Sequence, residues 1–375
     1  MTWTYCLTVV VVLLGTFAGC SSPFRTLTQN MVRTDLERVR EKYYVPSLGV
    51  AEITADDIII YGPVGKAGIN NDRPVTADSL YQLGSCTKAM TATVLVKLMQ
   101  DGSLTWDTRL LDLFPEFVAT ANPAYREVTL GDIASHQAGF SSAGDVATWN
   151  RLRDYRGSLT QYLGEILQQQ PRVRSGRYLY SNNGYAALGA VIERRTGLAY
   201  PEAMKKLLFE PLGVKAHFGF PSDLGPDQPW GNIANWGAAA PARAQDLYIP
   251  DVLGPAGQVS MTIKDYARFL QLHLRGLLGR DDAGFTVDMI NQVHQKRIMT
   301  GMPFENAYAA GWAIEKVNNE TIHWHAGSAG SFMVFMAINP ARQKGVVVVT
   351  NVGGTPGGRV GWDIVEKMLA GSEPR

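Results

Sequence analysis

The stretch Gly345 to Asn351, GVVVVTN, limits what this chain can fold into more than any other. Four consecutive valines have stiff, β-favouring side chains and no polar face, so they predict a strand covered on both sides. Such a strand needs partners, and the sequence supplies them from both ends of the chain. Near the start, Ser47 to Ile53 and Asp57 to Tyr61 are strand-like and joined by the turn-like Thr54-Ala55-Asp56. Before the valines come Ala310 to Lys316, Glu320 to His325 and Ser331 to Asn339. From Lys88 to about Lys264 the pattern is predominantly helical. Thr129-Leu130-Gly131-Asp132 and Ser158-Leu159-Thr160-Gln161 have the capping-box form of helix starts, with Gly139 expected to close the first helix. Tyr185 to Thr196 carries an apolar stripe ended by Gly197, and Thr262 caps a helix over Tyr266 to Leu274. Thr26 to Lys42 and Gly361 to Leu369 read as terminal helices. Phe218 to Gly257 lacks periodicity, holds Trp230 and Trp236, and reads as a long surface loop able to wall a cleft. The simplest arrangement is an α/β (α+β) chain: an antiparallel sheet flanked by N- and C-terminal helices, with an inserted all-helical subdomain. Residues 24–84 and 258–370 would form the sheet-containing part and 85–257 the helical part.

Chemistry enters where the strand-like run Leu80 to Leu83 turns into a helix at Gly84-Ser85-Cys86-Thr87-Lys88. Side chains three apart on a helix are neighbours, so the Lys88 amine reaches the Ser85 hydroxyl. A serine needs a base to become a nucleophile, and a desolvated lysine can serve because burial disfavours its charged form. The helix start adds unpaired amides that favour developing negative charge. Cys86 points about 100° away around the helix and is assigned to packing. Two further clusters bear on Ser85. Tyr178-Leu179-Tyr180-Ser181-Asn182-Asn183 is placed in a loop before a helix, and His325-Ala326-Gly327-Ser328 ends a strand, with Gly327 permitting close backbone approach. His136 is read as structural. His323 and His325 alternate along one strand face, but no Cys, Asp or Glu cluster accompanies them, and no metal or other cofactor is assigned.

With 35 basic and 34 acidic residues, the chain has no electrostatic case for nucleic acid. Its beginning suggests export. Leu7 to Ala18 is apolar and uncharged, short for a membrane span and of the length of a secretory signal core. Phe17-Ala18-Gly19-Cys20 resembles the lipobox of bacterial lipoproteins, although Phe17 replaces the usual Leu and the first six residues carry no Lys or Arg. That resemblance implies a signal over residues 1–20, an acylated Cys20 and anchorage at the cell envelope, with Ser21 favouring an outer membrane. The alternatives are simple cleavage and secretion or an uncleaved anchor. With Cys6 removed and Cys20 lipidated, Cys86 has no disulfide partner.

Taken together and in this order, Ser-x-x-Lys, Tyr-x-Asn and His-x-Gly resemble the penicillin-recognising serine hydrolases. The chain is similar to the branch of class C beta-lactamases, DD-peptidases, D-aminopeptidases and beta-lactamase-fold esterases. Leu111 to Phe117, Ile133 to Phe140, Pro211 to Val214 and Asp265 to Phe269 match further landmarks, so the resemblance runs from about residue 30 to 370. It implies that Ser85 is acylated, that Lys88 and Tyr180 share proton transfer, and that Asn182 holds the substrate side chain. The backbone amides of Ser85 and Ser328 would form the oxyanion hole, and the strand after His325, with Gly327, would lie beside the substrate. One departure matters. Where class C beta-lactamases have Lys-Thr-Gly, this chain has His325-Ala326-Gly327, and a histidine of reference pKa about 6.5 is mostly neutral at pH 7. Both losses fall on recognition of a substrate carboxylate. An amidase, DD-peptidase or carboxylesterase with slow beta-lactam turnover is therefore expected, the rival being a silent envelope sensor or scaffold.

Overall fold

In the computed structural model, which describes residues 33–235, 238–241, 248–302 and 305–370, the valine run becomes a strand buried throughout after Lys344. Its side chains divide between two cores. Val346 and Val348 join Val50, Phe335 and Ile364, whereas Val347 and Val349 join Val334, Met336 and Leu270. Full burial of each such side chain is worth roughly 1.5–3 kcal/mol, so this strand anchors both halves of the interior.

The strands in chain order are β1 (Ser47–Ile53), β2 (Ile58–Ile60), β3 (Val64–Gly68), β4 (Asn71–Pro74) and β5 (Leu80–Gln82). After the helical middle come β6 (His217–Phe218), β7 (Asn232–Asn235), β8 (Ala238–Pro241) and β9 (Val259–Thr262). The last six are β10 (Ile298–Met302), β11 (Glu305–Tyr308), β12 (Ala313–Val317), β13 (Glu320–Ser328), β14 (Met333–Asn339) and β15 (Lys344–Thr350). The large sheet runs β10-β11-β12-β13-β14-β15-β1-β3-β4, with β2 also on β1, and its pairs are antiparallel. Val50 pairs with Val348, so the two ends of the chain meet at its centre. Helix Ile263–Leu277 covers one face of β1 and β15, and Gly354–Ala370 covers the other face of β14 and β15. A smaller sheet, β5-β9-β6, leads into the nucleophile turn.

Several element boundaries differ from the sequence reading. The helix capped by Thr129 ends at Ala134, because His136 takes a left-handed backbone at φ 64°; Gly139 lies beyond it, in irregular chain. The helix expected from Tyr185 begins at Asn182, since Ser181 Oγ accepts the Gly184 N–H at 3.1 Å and makes Ser181 the cap. The Tyr178 to Asn183 stretch is therefore loop only as far as Ser181. Within Phe218 to Gly257 lie the β7–β8 hairpin and the turns Pro221–Leu224, Asp251–Leu253 and Gly254–Gly257. These are too short to leave a periodic trace. Strands β3, β4, β10 and β11 were hidden for a related reason: they are short, and polar, proline or glycine residues interrupt any apolar run in them. Residues 1–32, with the export signal and Cys20, and also Trp236, fall outside the described residues. Among those described, no helix is long and apolar enough to cross a membrane.

Candidate active site

Ser85 occupies the single turn Gly84–Cys86 between β5 and helix Thr87–Leu98. The end of β13 is pressed against this turn. A Cβ at Gly327 would strike the Leu83 carbonyl oxygen, and one at Gly84 would strike the Ser328 backbone nitrogen. Gly84 also sits at φ 49°, where other residues are strained. The two glycines thus bring the Ser328 amide beside the nucleophile turn, as the oxyanion-hole arrangement requires.

Lys88 is wholly buried, and burial holds its pKa well below the ordinary lysine value. Its Nζ lies 3.1 Å from Ser85 Oγ, 2.8 Å from Asn182 Oδ1 and 2.8 Å from the Ala256 carbonyl oxygen. An amide oxygen and a backbone carbonyl can only accept, so they take the two N–H bonds of a neutral amine. In the neutral form of the amine those two bonds use both hydrogens, and the lone pair would face the Ser85 hydroxyl. Asn182 is fixed from its other side, where Nδ2 donates to the Ala143 oxygen at 3.3 Å. Lys88 Nζ also lies 4.8 Å from the centroid of the Tyr180 ring. Ser85, Lys88, Tyr180 and Asn182, four residues spread over two distant stretches of chain, therefore share one neighbourhood.

His325 is also there, but facing inward. Its Nδ1 is 2.7 Å from the Ala326 oxygen, which only accepts, so Nδ1 carries the proton. Nε2 then accepts from the Tyr308 hydroxyl at 2.9 Å. Both nitrogens are satisfied by a neutral ring. Burial is the largest cause that lowers the His325 pKa to about 3. Ser328 Oγ is engaged within its own loop, donating to Phe332 O at 2.8 Å and accepting from Gly330 N at 3.1 Å.

The cleft above Ser85 is walled by Trp149, Asn182, Ile249, Leu253, Ala256 and Ser328, among others, and among the described residues none of its lining side chains is ionisable. Trp149 turns its indole N–H to the Ala143 oxygen at 2.9 Å, so it offers the cleft apolar surface. Sequence reasoning missed Trp149, Ile249, Leu253, Ala256 and Tyr308. Ala256 acts through its carbonyl, which residue type cannot reveal, and the apolar wall carries no motif. The expectation that the Phe218 to Gly257 passage borders a cleft does correspond to Ile249, Leu253 and Ala256. Cys86 is buried with its thiol pushed up to about 12, chiefly by burial.

His323 and His325 engage different partners. His323 Nδ1 bonds His294 Nδ1 at 3.1 Å, and His294 Nε2 bonds His273 Nδ1 at 3.0 Å. Among the described residues no cluster of three or more His, Cys, Asp or Glu side chains is placed to hold a metal ion.

A family model described as Beta-lactamase matches residues 29–367. Penicillin-binding protein 4 of Amycolatopsis lactamdurans is 26% identical over 329 residues, spanning 84% of this chain and 84% of that one. Among solved structures, the octameric penicillin-binding protein homologue from Pyrococcus abyssi superposes with a TM-score of 0.73 at 23% identity, over 90% of this chain and 76% of that one. The class C beta lactamase from Rhodobacter sphaeroides gives 0.72 at 21% identity, over 90% and 99%. At such identities the two structures speak for the fold alone, an antiparallel sheet with helices as in beta-lactamases and transpeptidases.

Proposed function

The chain belongs to the beta-lactamase family, and from that premise we propose that it is a serine hydrolase acting on ester or amide substrates through an acyl-Ser85 intermediate. Ser85 Oγ attacks the substrate carbonyl carbon while its proton passes to Lys88 Nζ. The oxyanion is met by the backbone amides of Ser85 and Ser328. Lys88 and Tyr180 return the proton to the leaving alcohol or amine, and water then attacks the acyl-enzyme to release the acid and restore Ser85. The observation that carries this reading is the Lys88 amine, pinned by two obligate acceptors with its third position at Ser85 Oγ, 3.1 Å away.

The finer reading is a carboxylesterase or amidase for substrates without a carboxylate beside the scissile bond. His325, held neutral by two hydrogen bonds, and the absence of ionisable side chains from the described cleft lining both support it. The internal bonds of Asn182 and Trp149 favour an apolar acyl group against Trp149, Ile249 and Leu253. Intact-protein mass spectrometry after fluorophosphonate and, separately, penicillin should show a Ser85 adduct with the first and little with the second. The Ser85→Ala variant should show neither, and p-nitrophenyl butyrate should turn over faster than a chromogenic cephalosporin. A stable penicilloyl adduct would favour a DD-peptidase-like site, and no adduct from either reagent would favour the silent sensor or scaffold. Export and lipidation at Cys20 belong to the same proposal: a Cys20→Ala variant should lose fatty-acid labelling and membrane association in its host.

A further inference from the structure

The residue behind Tyr180 does more than fill space. His136 is buried, with 2% of its surface exposed, and sits in a left-handed backbone conformation at φ 64°. Its ring centroid lies 4.4 Å from that of Tyr180 and 4.7 Å from that of Tyr308, the partner of His325. Tyr185 and Tyr178 complete the enclosure at 5.4 and 5.9 Å. Its Nδ1 accepts the backbone N–H of Ser181 at 3.1 Å. A nitrogen that accepts carries no proton, so the neutral ring holds its hydrogen on Nε2, which is buried with no hydrogen-bond partner among the described residues. Burial is the chief cause that lowers the pKa of this imidazole well below the ordinary histidine value.

Ser181 lies between Tyr180 and Asn182 and caps helix Asn182–Thr196. Its side chain is tied to the Ser141 oxygen at 2.7 Å, and its backbone N–H is tied to His136. One imidazole therefore fixes the Tyr180 ring by its face and the Tyr180–Ser181 peptide by its lone pair. We propose that His136 is a positioning residue for the acylation chemistry, holding Tyr180 and the Asn182 helix start in register with Lys88. This role rests on the serine hydrolase reading above.

Asparagine at position 136 tolerates positive φ and sets its Oδ1 where Nδ1 stood, so His136→Asn restores the Ser181 acceptor without the ring. Alanine restores neither. For p-nitrophenyl butyrate, with active sites counted by fluorophosphonate titration, His136→Ala is expected to lower kcat per titrated site at least a hundredfold. KM should stay within threefold, and His136→Asn should recover part of the loss. A filler role would lower the titratable fraction and leave kcat per site untouched; kcat within twofold of wild type in His136→Ala would overturn the proposal. Should the variants not fold, NMR of the wild-type protein decides: a nitrogen–nitrogen coupling across the hydrogen bond from the Ser181 amide to His136 Nδ1 is expected, and a protonated Nδ1 overturns it. Failure of wild-type protein to titrate with fluorophosphonate would instead sink the hydrolase reading, and the NMR result would still stand or fall by itself.

Discussion

Lys88 shows how much one residue's surroundings determine. A lysine ordinarily titrates at 10.5, but burial without a compensating carboxylate lowers this one, and its bonded neighbours are a serine, an amide and a carbonyl. The base is the neutral amine, so activity should rise as pH climbs through the depressed Lys88 pKa and level off well below 10.5. The kcat/KM profile for an uncharged ester checks this, because such a substrate does not itself titrate. A limb still rising at pH 10 would show an ordinary lysine. Lys88→Arg keeps a cation and cannot offer a lone pair at these pH values; it should lose about 10²–10⁴-fold in kcat/KM, the usual worth of a positioned general base. The Ser85 to Lys88 spacing was legible in the sequence because it is local. What makes Lys88 a base was not, since Asn182 and Ala256 lie far along the chain and one contributes only a backbone oxygen.

At the scale of elements, the site depends on the seam between the nucleophile turn and the end of β13. Gly84 and Gly327 let the two backbones meet there, and neither has room for a Cβ. Gly327→Ala should push β13 away from Leu83 and misplace the Ser328 amide. Removing one oxyanion donor costs about 10²–10³ in kcat, and a loss of that size with an unchanged circular dichroism spectrum is expected. Wild-type turnover in Gly327→Ala would show that the Ser328 amide takes no part. The sequence made this seam visible only as a glycine at a strand end. It was far better at long apolar elements: β1 was bounded correctly and β15 to within a residue, because the valine run and its partner have no alternative to burial. It failed at sheet margins and at the Asn182 helix start. There, a capping serine and asparagines suit a loop as well as a first turn, and the Ser181 cap on Gly184 together with the contact of Asn182 with Lys88 distinguishes them.

For the molecule as a whole, the buried histidines set how stability depends on pH. His136, His273, His294, His323 and His325 all have pKa values lowered mainly by burial, to about 3 for His273 and His325 and about 4 for His323. Three of them form a directed chain. Thr93 Oγ1 gives its hydrogen to the Ala89 oxygen at 2.7 Å, so His273 Nε2 must donate to Thr93 at 3.1 Å. His294 Nε2 then donates to His273 Nδ1, and His323 Nδ1 to His294 Nδ1. The chain ties helices Thr87–Leu98, Ile263–Leu277 and Val287–His294 to β13, and it is satisfied only while His273 and His294, whose Nδ1 atoms accept, are neutral. Below pH 6.5 the unfolded chain gains protons on these histidines that the folded protein refuses, so stability falls as pH falls, by about 1.4 kcal/mol per pH unit for each net proton. Glu315, raised to about 7 by burial, and Glu366 and Glu193, also raised by burial, act in the opposite sense, because the folded protein keeps protons there that the unfolded chain releases. Five histidines against three carboxyls leave a net loss between pH 6.5 and 5. Urea unfolding at pH 7, 6 and 5 should show the stability declining through that window. His294→Met should flatten the decline by about one proton while lowering stability at pH 7, where its two bonds are lost. Stability that holds or rises from pH 7 to 5 would mean that these rings are charged in the folded protein, and a charged chain cannot be the hydrogen-bonded tie between the nucleophile helix and β13.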